Sequence, residues 1–219
     1  LHLGTLLAVC IYFRSDLRKM VQELWAWVTP GNNTGLTSHA SLALMVVVGS
    51  IPTALIGLIF KDPLEKMFGA VTTVGVMLLI TGVIVGVTKF ISLDHGKWEQ
   101  VKLWMALIIG TAQGLAIIPG ISRSGSTIVC ALLLGLRRET AGRFSFLLSI
   151  PAIIGAVGLH LESDAIARVG VIPLMVGFAS SALVGFFALK LLMGMVKKGH
   201  FYYFAPYCWF VGALTIILL

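Results

Sequence analysis

Apolar runs separated by short polar stretches divide the chain into seven segments, residues 1–13, 40–60, 70–91, 103–136, 144–161, 171–193 and 204–219. A helix crosses the hydrocarbon of a bilayer with about 20 apolar residues, and most of the segments approach that length. The fourth does not fit a single crossing. It is 34 residues long, and the polar sequence Pro119-Gly120-Ile121-Ser122-Arg123-Ser124-Gly125-Ser126-Thr127 interrupts it. The pieces on either side are too short for two separate crossings. The pattern predicts a re-entrant hairpin over 103–136: a helix in, a polar turn at depth, and a return helix from about Thr127 on the same side. Irregular backbone of this kind persists in a membrane only where protein or a wet cavity surrounds it. Over residues 17–28, Leu17, Met20, Val21, Leu24 and Val28 recur at helical spacing beside Trp25 and Trp27, which predicts a short helix lying in the interface.

Composition supports the pattern. Hydrophobic residues make up 58% of the chain and charged residues 11%, with a mean hydropathy of +1.00. Soluble domains carry about 25% charged residues, so a water-facing surface cannot be built here, and disorder needs the opposite balance. The net charge of +7 comes from Lys and Arg scattered in twos and threes between apolar runs, which suits orientation in a membrane and not nucleic acid. With a re-entrant fourth segment, one side holds Arg14, Arg18, Lys19, Lys89, Lys97, Lys102, Arg137, Arg138, Arg143, Lys190, Lys197 and Lys198, and the other Lys61, Lys66 and Arg168. That bias marks the first side as cytoplasmic. A single crossing at 103–136 would abolish it.

The expected fold is therefore an all-α integral membrane protein with six transmembrane helices and one re-entrant hairpin. It forms one polytopic domain, residues 1–219. Three crossings precede the hairpin and three follow it, the arrangement of inverted repeats. Residues 1–102 then read as the remainder of a first repeat whose own hairpin lies upstream of Leu1, and 103–219 as a complete second repeat. Gly110-x-x-x-Gly114 and the stretch around Gly177, Ser180 and Ser181 provide small faces for close helix packing.

The turn carries the candidate chemistry. An arginine near the bilayer centre costs about 2.5–3.5 kcal/mol on insertion scales, so Arg123 needs a partner or a wet cavity. Around it lie the hydroxyls of Ser122, Ser124, Ser126 and Thr127 and the bare backbone of Gly120 and Gly125. A guanidinium fork, hydroxyl donors, amides and a helix N-terminus together favour an anion, most naturally a phosphate. A nucleotide loop is excluded, because Ser126 stands where its lysine belongs and no strand precedes the turn. No histidine or cysteine stands close enough to Arg123 for the common lipid-phosphate or cysteine phosphatases. Cys10, Cys130 and Cys208 have no metal-binding spacing. His2, His39, His95, His160 and His200 sit near segment ends, and Trp98, Trp104, Tyr202 and Tyr203 read as an interfacial belt.

The turn, preceded by Gln113-Gly114-Leu115-Ala116, resembles the signature of the bacterial undecaprenyl-diphosphatase family, the bacitracin-resistance membrane phosphatases. Phe144-Ser145-Phe146-Leu147-Leu148 with Pro151, and His2-Leu3-Gly4-Thr5-Leu6-Leu7-Ala8-Val9, match it as well. The resemblance implies hydrolysis of undecaprenyl diphosphate to undecaprenyl phosphate, renewing the lipid carrier of peptidoglycan synthesis. It also implies a multi-pass protein of the bacterial inner membrane, a site opening to the outer face, and Mg²⁺ or Ca²⁺ as cofactor. On that basis Arg123 clamps the diphosphate while Ser122 and Thr127 donate to phosphate oxygens. Gly120, Ser124, Gly125, Ser126 and Gln113 join them as binding candidates, Gln113 being equally suited to an interhelical hydrogen bond. The family's second motif, a Glu pair followed by Ser-Ser-Thr-Gly-His, is absent. It is expected upstream of Leu1 together with any metal ligands, so this stretch alone is expected to be inactive. The partners are a polyprenyl diphosphate and membrane lipid, with no nucleic acid; a homodimer stays open. Two rival readings are a polyprenyl-phosphate flippase, which the repeat architecture suits, and an anion channel with Arg123 at its constriction.

Overall fold

A computed structural model describes residues 1–29, 37–60, 67, 69–91, 96–159 and 170–218. Among these residues the chain forms α-helices and no strand. In order they are α1 (His2–Tyr12), α2 (Arg14–Val28), α3 (Ser38–Ile59), α4 (Val71–Gly86), α5 (Leu103–Leu115), α6 (Arg123–Leu133), α7 (Arg138–Leu159), α8 (Val171–Lys197) and α9 (Phe204–Ile217). Single 3₁₀ turns, Val87–Phe90 and Phe201–Tyr203, extend α4 and lead into α9. The fold is that of an all-α membrane protein, as the apolar runs predict. Helices α3, α7, α8 and α4 with its 3₁₀ turn are long and apolar enough to cross a membrane, while α1 and α9 are shorter than the crossings expected of them.

The fourth apolar segment is a hairpin. Helices α5 and α6 pack together, and their outer ends are pinned to one another. The Trp98 N–H donates to the Gly135 carbonyl at 3.2 Å, and the Trp98 carbonyl accepts from the Arg137 N–H at 3.0 Å. An ion pair between Arg137 and Glu99 repeats the connection at the side chains. Entry and exit therefore lie at the same end of the bundle. With 13 and 11 residues, the two arms span about 20 and 16 Å at 1.5 Å per residue, less than the roughly 30 Å of hydrocarbon.

This hairpin is the centre of the molecule. Met105 and Ile109 of α5, Ile128 and Leu132 of α6, and Phe144 and Leu148 of α7 are all fully buried. Around it the helices of 1–102 interlock with those of 103–219: α3 packs on α5, α1 on α8, and α4 on α9. Glycines set how closely they approach. A Cβ on Gly110 would lie 1.9 Å from the carbonyl oxygen of Gly49, so α3 and α5 cross backbone to backbone. On α4, Gly82 leaves room for the Trp209 indole of α9. The small face on α8 receives α1, with Gly4 against Ser181 and the Phe178 carbonyl.

The end of the bundle that holds the hairpin's two termini is tied by charge. Arg143 at the start of α7 pairs with Asp16 of α2, and Lys197 at the end of α8 lies 2.7 Å from Glu139. Arg138 donates to the Ile91 carbonyl at 2.9 Å. Glu23 of α2 caps α3: its carboxylate accepts from the Thr37 hydroxyl and from the His39 and Ala40 amides, and the His39 ring lies 2.9 Å away. The Thr37 hydrogen bond, then those amides and the His39 charge, hold this carboxyl below the usual range against the opposing effect of burial. A helix forms at α2 as the periodicity predicts, with Met20 buried and Val21, Trp25 and Val28 exposed. Arg137, Arg138, Arg143 and Lys197, four of the cations grouped together by the charge pattern, thus share one end. Lys61, Lys66 and Arg168, expected at the other, lie outside the described residues.

Two measurements check this architecture. Gly110→Ala should destabilise the detergent-solubilised protein by about 1–3 kcal/mol through overpacking. Gly155→Ala, with nothing within 4 Å of the added Cβ, should be neutral or stabilising by up to about 1 kcal/mol. Thermal unfolding showing the reverse order would refute the α3–α5 crossing. Single cysteines at Lys97 and Arg137, in a background with the three native cysteines replaced by serine, should react with an impermeant maleimide from the same side of the membrane.

Candidate functional site

The hairpin turn is built around a helix start that comes earlier than the polar run suggests. Helix α6 begins at Arg123, four residues before Thr127, because Ser122 caps it: its Oγ accepts from the Gly125 N–H at 3.0 Å. Ser124, Gly125 and Ser126 consequently belong to the first turn. The first amides of a helix have no intrahelical partner. Here the Gly125 amide is taken by the cap and the Ser126 amide bonds to the Ser122 carbonyl at 2.9 Å. In this first turn the amides of Arg123 and Ser124 are left for a ligand, while that of Gly125 is engaged by the cap.

The turn reaches α6 through Gly120, at φ +93°. This left-handed backbone favours glycine, and a Cβ here would also meet the Val74 carbonyl of α4 at 2.5 Å. On α4, Val74, Met77, Thr81 and Val85 recur at three- and four-residue spacing and form one face. The first two pack on Gly120 and the last lies beside Gly125. Thr81 joins the two sides of the turn: its hydroxyl donates to the Gly120 carbonyl at 3.0 Å and accepts from the Ser122 N–H at 3.1 Å. Nothing in the sequence marks Thr81, a threonine in an apolar span like Thr53 and Thr88. Gly120 rests on Val74 and Met77, close to the start of α4 and away from the ion-paired end.

The candidate residues divide into three groups. Arg123 is exposed, and among the described residues none pairs with its guanidinium. Ser122 uses a lone pair in the cap, which leaves its proton free to donate. Ser124 and Ser126 lie beside them, and Ser126 lines an apolar groove of about 510 Å³ with Ile121, Ala112, Cys130 and Leu133. Thr127 is different. It is 1% exposed, and its hydroxyl donates to the Arg123 carbonyl at 2.9 Å, so its proton is engaged within the helix instead of facing a phosphate. Gln113 does not line the site. It is 2% exposed and its amide donates, at 3.3 Å each, to Thr53 Oγ1 of α3 and the Leu148 carbonyl of α7. Thr53 in turn donates to the Gly110 carbonyl at 2.8 Å, so Gln113 is a clasp between helices.

A guanidinium, serine hydroxyls and free amides at a helix N-terminus suit a phosphate. They do not suit a divalent cation, which takes carboxylate and carbonyl oxygens. Among the described residues no group of three or more His, Cys, Asp or Glu is placed to hold one.

Loss of the cap should be measurable apart from any activity. Ser122→Ala should lower stability by about 1 kcal/mol, and Ser122→Gly by only a few tenths. Equal thermal midpoints for wild type and the alanine variant would argue against the cap.

Comparison with known proteins identifies the family. Residues 1–214 match the family described as Bacitracin resistance protein BacA. The undecaprenyl-diphosphatase of Desulforapulum autotrophicum is 43% identical, across 99% of this chain and 81% of its own length. That of Halothermothrix orenii is 40% identical, across 100% and 81%, and that of Methanosphaera stadtmanae 38%, across 100% and 82%. With the family match spanning nearly the whole chain and these identities along it, the chain belongs to the bacitracin resistance protein BacA family.

Proposed function

We propose that this protein hydrolyses undecaprenyl diphosphate to undecaprenyl phosphate and inorganic phosphate, renewing the lipid carrier for peptidoglycan synthesis and so conferring resistance to bacitracin. The observation that carries the chemistry is the placing of Arg123, Ser122 and the first amides of α6 at one helix start, at the tip of a hairpin, in a chain whose relatives bear that enzyme's name. Water attacks the terminal phosphorus, either directly or after a serine has first taken the phosphoryl group as phosphoserine. The bridging P–O bond breaks, the oxygen left on the lipid phosphate takes the electron pair, and the proton lost by the nucleophile passes to solvent or to a phosphate oxygen. Negative charge builds on the bridging and terminal oxygens in that step. Arg123 offsets it with a fixed bidentate charge, and the Ser122 hydroxyl and the Arg123 and Ser124 amides donate to the phosphate oxygens. Thr127 supports the turn by tying its hydroxyl to the Arg123 carbonyl. The apolar groove beside Ser126 has the chemistry to take part of an isoprenoid chain. The Mg²⁺ or Ca²⁺ that the resemblance implies finds no ligand set among the described residues of this turn.

The hydrolase is favoured over the flippase and the channel because the relatives are named as diphosphatases. An inner-membrane protein with its site towards the outer face is supported by two facts. The cations cluster at the end where the hairpin enters, and the turn lies away from it, against Val74 and Met77.

Phosphate release from undecaprenyl diphosphate by the intact protein in detergent or nanodiscs tests the proposal. Arg123→Ala should lower kcat/KM by about 100-fold or more, the loss expected when one preorganised charge donor is removed. Arg123→Lys should recover only part of it, because an ammonium lacks the planar fork. Substantial turnover by the alanine variant would remove Arg123 from the reaction.

A further inference from the structure

We propose that Thr81 is a positioning residue of the diphosphate site, its single hydroxyl setting the turn so that Arg123, Ser122 and the first amides of α6 converge on one phosphate. The proposal rests on the hydrolase reading above. Four observations support it. First, Thr81 is 2% exposed, so its hydroxyl is shielded from water and depends on protein partners. Second, both its donor and its acceptor function are used, on Gly120 and Ser122, the two peptides that flank Ile121. Third, the hydroxyl forgoes the usual bond. Thr88, Thr111, Thr127 and Thr215 each donate to a carbonyl three or four residues back in their own helix. Thr81 instead reaches residues 39 and 41 positions away. Fourth, α4 is held from behind: Gly75 and Gly82 pack closely on Ile216 and Trp209 of α9, so the hydroxyl is presented by a braced helix.

The consequence runs through the backbone. The Ser122 amide immediately precedes Arg123, and Ser122 caps α6. Fixing that amide therefore fixes the cap, the first helical residue and the direction of its free N–H. Removing the hydroxyl leaves a part-buried carbonyl and a part-buried amide without that partner, and the turn must shift to find others. A displacement of about 1 Å at a phosphate clamp can cost on the order of 100-fold in rate. Thr81 would not touch the substrate, so its effect falls on turnover more than on binding.

The test compares Thr81→Val, which keeps the shape and loses the hydroxyl, with Thr81→Ser, which keeps the hydroxyl. Both are measured in the intact, purified protein by phosphate release from undecaprenyl diphosphate. The valine variant should lose about 10- to 100-fold in kcat with a smaller change in KM, and the serine variant should stay close to wild type. Thr81→Ala, set against Thr81→Ser, supplies the same comparison where the valine variant does not survive purification. Wild-type kcat without the hydroxyl overturns the role of Thr81. So does an equal loss in the serine variant, since packing of the methyl group would then be responsible. Absence of phosphate release by the wild type overturns instead the hydrolase reading.

Discussion

A peptide group that leaves a helix inside a membrane has no water to bond to, and residues 119–122 do this at the tip of the central hairpin. Everything around the turn answers that constraint. The Gly120 carbonyl and the Ser122 amide are satisfied by one hydroxyl from α4, and the Gly125 amide by the side chain of Ser122. The Ile121 amide closes back on the Ile118 carbonyl at 3.1 Å. Among the groups these bonds leave over are the Arg123 and Ser124 amides and an exposed guanidinium, which make up the proposed anion site. The chemistry is thus the residue of a backbone problem solved incompletely on purpose at one place.

Such a solution works only if the partner helix cannot drift. Dispersion and close contact must hold helices together in lipid, since the tails are as apolar as the side chains. The glycine crossings supply that contact. Gly110 brings α5 onto α3, where Thr53, Gln113 and the Leu148 carbonyl add hydrogen bonds between three helices. Gly75 and Gly82 seat α4 on α9. The rigid body so formed carries the turn at one end, and at the other the ion pairs of Asp16, Glu99 and Glu139 lock the hairpin's entrance and its neighbours.

Much of this was legible in the sequence. The 34-residue apolar run broken by Pro119–Thr127 was too long for one crossing, and positive charge on both of its flanks placed them together, so the hairpin could be read without coordinates. The motif itself named the family and pointed to Arg123 and Ser122. The small faces at Gly110 and Gly177 also did what their spacing suggested. Less legible were roles that depend on a partner distant in sequence. Gln113 and Thr127 carry polar groups suited to a phosphate, yet both are engaged elsewhere, and the true start of α6 depended on which serine turned back to cap it.

By itself, then, the sequence determined the class of fold, the hairpin and the polar turn that carries the candidate site, because these follow from hydrophobic length, charge placement and local motif. Only the tertiary structure decided which helices touch. The pairing of α4 with α9, of α1 with α8, and of Thr81 with Gly120 joins residues far apart in the chain. In uniformly apolar helices no periodicity distinguishes the face that meets lipid from the face that meets protein. That choice is made by glycine gaps and buried hydroxyls finding their complements across space.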